Sequence, residues 1–217
     1  MYENIKTIYF DYDGTIHNSI KVYAPAFRKA YKFLMNKGAA PVRKWEDEEI
    51  SYWLGFSSQA MWEAFMPNLD IKLRQIASSI IGKEMGALIK DGKSILYEGA
   101  IETLTYLKAK GYRLVFISNC SIAYRDAARD TYKLMDFFDE MICSEEYDYQ
   151  PKHEILRLIK ESYPVDGLMI GDRMQDIEAG IMNNMLTIGC LYGFPCEGEL
   201  DMADRVIDDV TELRELL

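Results

Sequence analysis

The chain reads as an α/β protein: a doubly wound parallel sheet core with an all-α segment inserted after its first strand. Two observations predict this. From Gly99 onward, short β-prone runs alternate with stretches of helical periodicity, the pattern of βαβ units whose sheet is covered on both faces. Before that point, residues 20–92 show helical periodicity and turn signals but no strand. The expected division is a core of residues 1–19 and 93–217, with residues 20–92 as a separate helical domain.

Each element has its own signal. Thr7–Phe10 is a short β-prone run ending at Asp11, with Gly14 beyond it as a turn residue. Helical periodicity covers Ile20–Asn36 and stops at Gly38. Glu46–Leu54 and Ser58–Phe65 read as two short helices separated by Gly55-Phe56. Asp70 caps a long helix that runs to Lys90 and closes at Asp91-Gly92. A helix over Ala100–Lys110, closed by Gly111, precedes the strand Arg113–Ser118. A helix over Ile122–Leu134, a strand at Glu140–Cys143 and a helix over Lys152–Glu161 follow. The strand Gly167–Ile170 leads to a helix over Met174–Met182. Strands at Leu186–Cys190 and Arg205–Ile207 and a last helix at Val210–Leu217 complete the chain.

Bulk properties bound what such a fold can do. The 217 residues are 49% apolar and 28% charged, as a packed soluble globule requires. A formal charge of −10, with no Lys/Arg cluster to override it, speaks against a nucleic-acid surface. It also means that an anionic substrate needs local cations. Met1–Lys6 runs straight into an apolar strand rather than a leader pattern, and no stretch is long enough to span a bilayer. Cys120, Cys143, Cys190 and Cys196 lack metal-ligand spacing and read as reduced packing residues. The expected setting is the cytoplasm, with no nucleic-acid or membrane partner and with the chain a monomer or homodimer.

In a doubly wound sheet, ligands bind off the carboxyl ends of the strands, where the strand order reverses. The polar residues fall there. Asp11 and Asp13 follow the first strand, Ser118-Asn119 ends the second, and Gly171-Asp172 ends the strand Gly167–Ile170 with Asp176 one helical turn on. Lys152 opens the helix after the strand Glu140–Cys143. Singly, each has an ordinary explanation: Asp-x-Asp-Gly-Thr as a turn, Ser118 as a helix cap, Lys152 as a surface lysine. Their joint arrival at strand ends, in this order, points to chemistry.

The residue types suit phosphoryl transfer. A carboxylate nucleophile, Asp11, divides phosphate ester hydrolysis into transfer to the enzyme and hydrolysis of an aspartyl phosphate. Asp13 can protonate the leaving oxygen and later deprotonate water, and Gly14 permits the tight turn that brings both acids to one site. Acids gathered around a dianion need cations. Mg²⁺ prefers oxygen ligands, and Asp11, the backbone carbonyl of Asp13 and Asp172 can supply them, with Asp176 a further ligand or acting through water. Lys152 neutralises the nucleophile and the moving phosphoryl group. The Ser118 hydroxyl and N–H groups at a helix N-terminus form a phosphate cradle, and Gly14, Thr15 and Asn119 complete the expected substrate contacts.

With these residues in place the sequence resembles the haloacid dehalogenase-like hydrolases, most closely their phosphoglycolate phosphatase-like branch. The motifs are Asp11-Tyr12-Asp13-Gly14-Thr15, Val115-Phe116-Ile117-Ser118-Asn119, Lys152, and Gly171-Asp172-Arg173-Met174-Gln175-Asp176-Ile177. Thr187–Phe194 resembles the segment that follows the last motif in that branch. The resemblance implies a Rossmann-like core, a helical cap at 20–92 and Mg²⁺-dependent phosphoryl transfer. Asp13 implies phosphate esters as substrates, because dehalogenases lack this second aspartate. One departure falls at Lys152, which is followed by His153 where the pattern has proline.

The implied function is a phosphatase of a small phosphorylated metabolite: a phosphoglycolate, sugar phosphate, nucleotide or pyrophosphate. A β-phosphoglucomutase-like phosphomutase would use the same aspartates, and a non-catalytic ligand-binding relative is the third reading. The helical segment sets the substrate, and it offers several readings. Gly55-Phe56 can form a loop that dips toward the site. Tyr52, Trp53 and Trp62 can line a pocket or form core. His17 can meet substrate or cap the passage into the helical segment, and Arg74 and Lys83 can contact anions or lie on solvated faces.

Overall fold

The computed structural model describes residues 2–163 and 166–217. Met1, the first residue of the Met1–Lys6 run, and residues 164–165, within the expected core segment, lie outside the described residues. Strands β1 (Thr7–Phe10), β2 (Arg113–Ser118), β3 (Glu140–Cys143), β4 (Gly167–Gly171), β5 (Leu186–Cys190) and β6 (Arg205–Ile207) pair in parallel in one sheet. Their order is β3-β2-β1-β4-β5-β6. The chain steps from β1 outward to β3 and then returns to the other side of β1 as β4. The order therefore reverses between β1 and β4, and a crevice opens at their carboxyl ends.

Both faces of the sheet are buried, which is why its strands read as apolar runs rather than alternations. Their period of two still sorts the side chains. Ile8, Phe10, Leu114, Phe116, Leu168 and Ile170 join one apolar cluster, while Tyr9, Val115, Ile117 and Met169 join the other. The second cluster is closed by Ile155, Leu156 and Ile159 of α7 (Lys152–Ile159) and Ala179 of α8 (Met174–Met182). The architecture is the α/β, Rossmann-like doubly wound core that the alternating pattern predicts.

The first cluster continues into the helical segment. That segment holds α1 (Ile20–Asn36), α2 (Asp47–Ser51), α3 (Ser58–Phe65) and α4 (Ile71–Lys90). Asp70 caps α4 by accepting the Lys72 and Leu73 N–H groups at 2.9 and 3.2 Å. Ala77, Ile81, Met85 and Ile89 recur every fourth residue on α4 and form its buried stripe, and α4 packs against α1 and the helix Ile122–Tyr132. Trp45 is ringed by Phe27, Tyr31 and Phe65 at centroid distances of 5.6, 5.4 and 5.4 Å. Offset and edge-on aromatic pairs of this kind add about 0.5–1.5 kcal/mol each beyond their burial.

Several ends differ from the sequence expectation. The helix expected over Glu46–Leu54 is only Asp47–Ser51, because Tyr52–Leu54 turn away into a loop held by the core. The helix of Ile122–Leu134 stops at Tyr132, as α6, where Lys133 turns left-handed at φ 52°. Lys152–Glu161 ends at Ile159 and tightens into a 3₁₀ turn, and Val210–Leu217 splits into a 3₁₀ turn and a short helix, α9 (Leu213–Leu216). The remaining helix, α5, spans Ala100–Ala109. All four cysteines are free. No helix among the described residues is long and apolar enough to cross a membrane.

Candidate active site

Asp11 stands at the carboxyl end of β1, and its N–H donates to Ile170 O of β4 at 2.9 Å. Asp172 follows β4, and Asp176 lies in the first turn of α8. Strand pairing alone thus brings residues 11 and 172 together. Lys152, the first residue of α7, places Nζ 2.7 Å from Asp11 Oδ1 and 2.5 Å from Asp176 Oδ1. One carboxylate oxygen from each of Asp11, Asp172 and Asp176 lies within 4.8 Å of the others, and all three residues are buried.

This cluster is short of positive charge. Burial pushes the Asp11 carboxyl up to about 7 although the Lys152 ammonium pulls it down, and Asp176 and Asp13 add to the rise. Asp172 is held well above the usual carboxylate range, first by burial and then by Asp11 and Asp176. At Lys152 burial opposes the charge, but Asp11 and Asp176 more than offset it, so the ammonium is retained. Asp172 Oδ1 is buried with no hydrogen-bond partner among the described residues, while Oδ2 accepts the Phe194 N–H at 2.7 Å. Hard oxygen donors, excess negative charge and an unpartnered carboxylate oxygen fit a small divalent cation such as Mg²⁺. Both Asp176 oxygens are engaged, Oδ1 by Lys152 and Oδ2 by the Arg173 N–H at 3.0 Å, which suits a role through water or through Lys152.

Asp172 sits in a slot between two glycines. A Cβ on Gly14 would stand 2.0 Å from Asp172 Oδ2, and one on Gly193 would stand 2.4 Å from Asp172 Cβ. Gly14 also has φ 81°, which side chains disfavour.

Asp13 lines the same cavity as Asp11. Ser19 Oγ and Tyr124 OH both donate to its Oδ1, the latter at 2.7 Å. His17 Nδ1 lies 2.9 Å from Ser19 Oγ and 3.1 Å from Tyr124 OH. His17 Nδ1 thus joins the two hydroxyls that hold Asp13 in one buried network. His17 is fully buried, stacked on Tyr12 and bridged to Asp13 and Leu96. It stands behind Asp13 rather than in the cavity wall.

Ser118, Asn119, Cys120 and Ser121 line the cavity in succession. The helix N-terminus expected to cradle phosphate is partly occupied: Ile122 N–H donates to Glu145 Oε2 at 2.6 Å and Tyr124 N–H to Ser121 Oγ at 3.3 Å. The available donors here are the Ser118 hydroxyl and the loop that follows it. Asn119 Nδ2 donates to Gly55 O at 2.8 Å, tying the helical segment to the sheet. Thr15 is buried away from the cavity, and its carbonyl accepts the Tyr192 hydroxyl at 2.8 Å. The cavity, of about 230 Å³, runs from Asp11 and Asp13 to Ile81 and Met85 of α4. Of the aromatics considered in the helical segment, Trp53 lines it, Trp62 is buried with Nε1 donating to Ser78 Oγ at 2.7 Å, and Tyr52 is exposed.

The haloacid dehalogenase-like hydrolase family model matches residues 5–182. The chain belongs to the haloacid dehalogenase-like hydrolases. Within the family it falls in the phosphoglycolate phosphatase-like branch. It is 27% identical to a phosphoglycolate phosphatase of Psychrobacter arcticus, over 85% of this chain and 83% of that one. A phosphoglycolate phosphatase of Nitrosococcus oceani is 25% identical over 100% of this chain and 98% of its own. The fold matches the crystal structure of a predicted phosphoglycolate phosphatase from Haemophilus somnus with a TM-score of 0.82, at 22% identity, over 100% of this chain and 99% of that one.

In this haloacid dehalogenase-like chain, several residues that serve the site escaped the sequence reading. Arg173, next to Asp172, is buried in a two-pronged pair with Glu199 (2.7 and 3.1 Å) and donates Nη1 to Tyr52 O (3.2 Å) and Leu54 O. Its guanidinium also faces the Phe56 ring at 5.6 Å. Arg173 and Asn119 together hold the Gly55-Phe56 loop against the sheet edge. Tyr149 enters the cavity from a turn in which Asp148 and Tyr149 both have left-handed φ, 52° and 57°. That conformation disfavours side-chain-bearing residues by about 1–2 kcal/mol each, and such strain gathers at functional sites. The turn glycine that signals a left-handed residue is missing there. For Ser19 and Tyr124 the only available signal was a hydroxyl near an acid.

Proposed function

We propose that this hydrolase is a Mg²⁺-dependent phosphatase that releases phosphate from a small phosphorylated metabolite through an aspartyl phosphate on Asp11. The observation that carries the reading is the 2.7 Å contact of Lys152 with Asp11 beside buried Asp172, in the wall of a cavity that Asp13 shares. Residues 20–92 act as the cap domain over a core of residues 1–19 and 93–217. The way α4 and the Gly55-Phe56 loop close the cavity supports that division. The four free cysteines suit a cytoplasmic setting.

In the first step an Asp11 oxygen bonds to phosphorus as the ester P–O bond breaks. Asp13 hands its proton to the departing oxygen and then takes one from the water that hydrolyses the aspartyl phosphate. The hydroxyls of Ser19 and Tyr124 fix Asp13 Oδ1, and no hydrogen bond to Oδ2 is found among the described residues. Lys152 balances charge on the nucleophile and the phosphoryl oxygens, and the Ser118 hydroxyl donates to the latter. Asp11, Asp172 and the Asp13 carbonyl, with Asp176 in support, would hold Mg²⁺, which would supply Lewis-acid neutralisation of the phosphoryl charge.

The test is phosphate release from a panel of phosphate monoesters with Mg²⁺ or with chelator, for the native chain and Asp11→Asn. Release that needs Mg²⁺ and vanishes in Asp11→Asn is expected. Release by both proteins, or by neither, defeats the reading. Isomerised phosphosugar with little free phosphate would reassign the protein as a mutase.

A further inference from the structure

We infer that the alcohol part of the substrate is uncharged and largely apolar, so that the site disfavours esters whose leaving group carries a carboxylate or a second phosphate. The inference rests on the phosphatase reading and concerns what lies beyond the phosphoryl group. The cavity wall opposite Asp11 is made by Trp53, Phe56, Met61, Ile81 and Met85. Its polar groups there are neutral: the hydroxyls of Ser58, Ser78 and Tyr149. No Lys, Arg or His is found among the described residues that line it, whereas two acids, Asp11 and Asp13, are.

The two cations nearest the site, Lys152 and Arg173, are committed to other partners. Lys152 Nζ is held by Asp11 and Asp176 at 2.7 and 2.5 Å. Arg173 is held by Glu199 and by the carbonyls of residues 52 and 54. Arg74 lines a separate groove beyond Ser58, Ser78 and Tyr149 and is absent from the lining of this cavity; one of its N–H groups donates to Pro67 O at 3.3 Å, and its Nε is buried with no partner among the described residues. A carboxylate two carbons from the ester oxygen, as in phosphoglycolate, would be drawn partly out of water into a half-open, largely apolar cavity whose lining offers hydroxyls but no counterion. Burying an ion without a partner is strongly unfavourable. Selection here works by the absence of a cation, with no steric clash. On this point the chain parts from the relatives called phosphoglycolate phosphatase.

The experiment compares kcat/KM, with Mg²⁺, within two pairs matched in shape: phosphoglycolate with its primary amide, and 4-carboxybenzyl phosphate with 4-carbamoylbenzyl phosphate. At least a tenfold preference for the neutral member of each pair is expected; equal or greater activity on the acids overturns the inference. Gly82→Lys adds a cation to the wall. Gly82 is on α4 and lines the cavity, and a Cβ there meets nothing within 4 Å. The acid-to-amide ratio should rise at least fivefold in Gly82→Lys and stay put in Gly82→Ala. A ratio unmoved by lysine, or moved equally by alanine, overturns the charge explanation. The two readings fail separately. No release from any of the four esters, or release that survives Asp11→Asn, defeats the phosphatase reading, whereas Asp11-dependent release favouring the acids defeats only this one.

Discussion

Gly55 and Arg173 touch across the junction of the helical segment and the sheet. A Cβ on Gly55 would stand 2.7 Å from Arg173 Cγ, and Gly55 has φ 85°. Gly55→Ala therefore meets both a backbone penalty of about 1–2 kcal/mol and a displaced guanidinium. The loop carrying Trp53 and Phe56 should lift from the cavity. A fall in kcat/KM of at least tenfold, with a modest loss in melting temperature, is the expected result of steady-state kinetics and a thermal melt.

Arg173→Leu should be costlier to stability than to fold. It strands Glu199 and frees the carbonyls of Tyr52 and Leu54. Breaking a buried pair from one side costs on the order of 3 kcal/mol. The double variant Arg173→Leu/Glu199→Leu should recover part of that loss in urea unfolding while the loop stays unanchored and activity stays low.

Asp172→Asn should stabilise the metal-free protein while abolishing activity. The asparagine oxygen can still accept the Phe194 N–H, and the unpartnered buried Oδ1 is replaced by a neutral group. A gain of about 1–3 kcal/mol is expected, together with loss of the Mg²⁺-induced rise in melting temperature. Thermal melts with and without Mg²⁺ check both.

The acid cluster also fixes a pH dependence. Asp11 is raised from 3.8 to about 7 and Asp172 is raised as well, so across that window the folded state binds more protons than the unfolded one. Stability present below pH 3.8 is thus lost as pH climbs toward 7. Asp139 and Glu146 are held below the usual carboxylate range, so the stability they contribute grows with pH mainly below this window and works against the trend only at its acid end. Metal-free protein should unfold at lower urea at pH 7.5 than at pH 5.5, and saturating Mg²⁺ should shrink the difference.

Tyr124→Phe removes one of the two hydroxyls on Asp13 while keeping the ring beside Tyr12. As Tyr124 positions an acid–base group, the expected signature is a roughly tenfold lower kcat with KM little changed and a displaced pH profile, equivalent to about 1.4 kcal/mol. A purely structural role would instead lower the melting temperature and leave the profile in place.

Much of this was legible because parallel strands buried on both faces write short apolar runs, and because Asp11, Ser118 and Asp172 stand directly at their ends. Lys152 was legible as the first residue of a helix following β3. What failed was long-range and local at once. The partners of Asp13 come from six residues away and from 111 residues away, and no local pattern announces a hydroxyl aimed at a carboxylate. The shortened α2 had the same cause, since Tyr52–Leu54 leave the helix to meet an arginine more than 100 residues later. Left-handed Asp148 and Tyr149 carry no glycine to mark them.

The slot around Asp172 bears on how this chain can evolve. Gly14 and Gly193 are separated by most of the sequence, yet each abuts the same carboxylate so closely that any side chain would displace it. In a mutational scan selected for activity, these two positions, which have no functional group of their own, should be as intolerant as the acid they enclose. The ion site would then be visible to genetics first as a pair of invariant blanks.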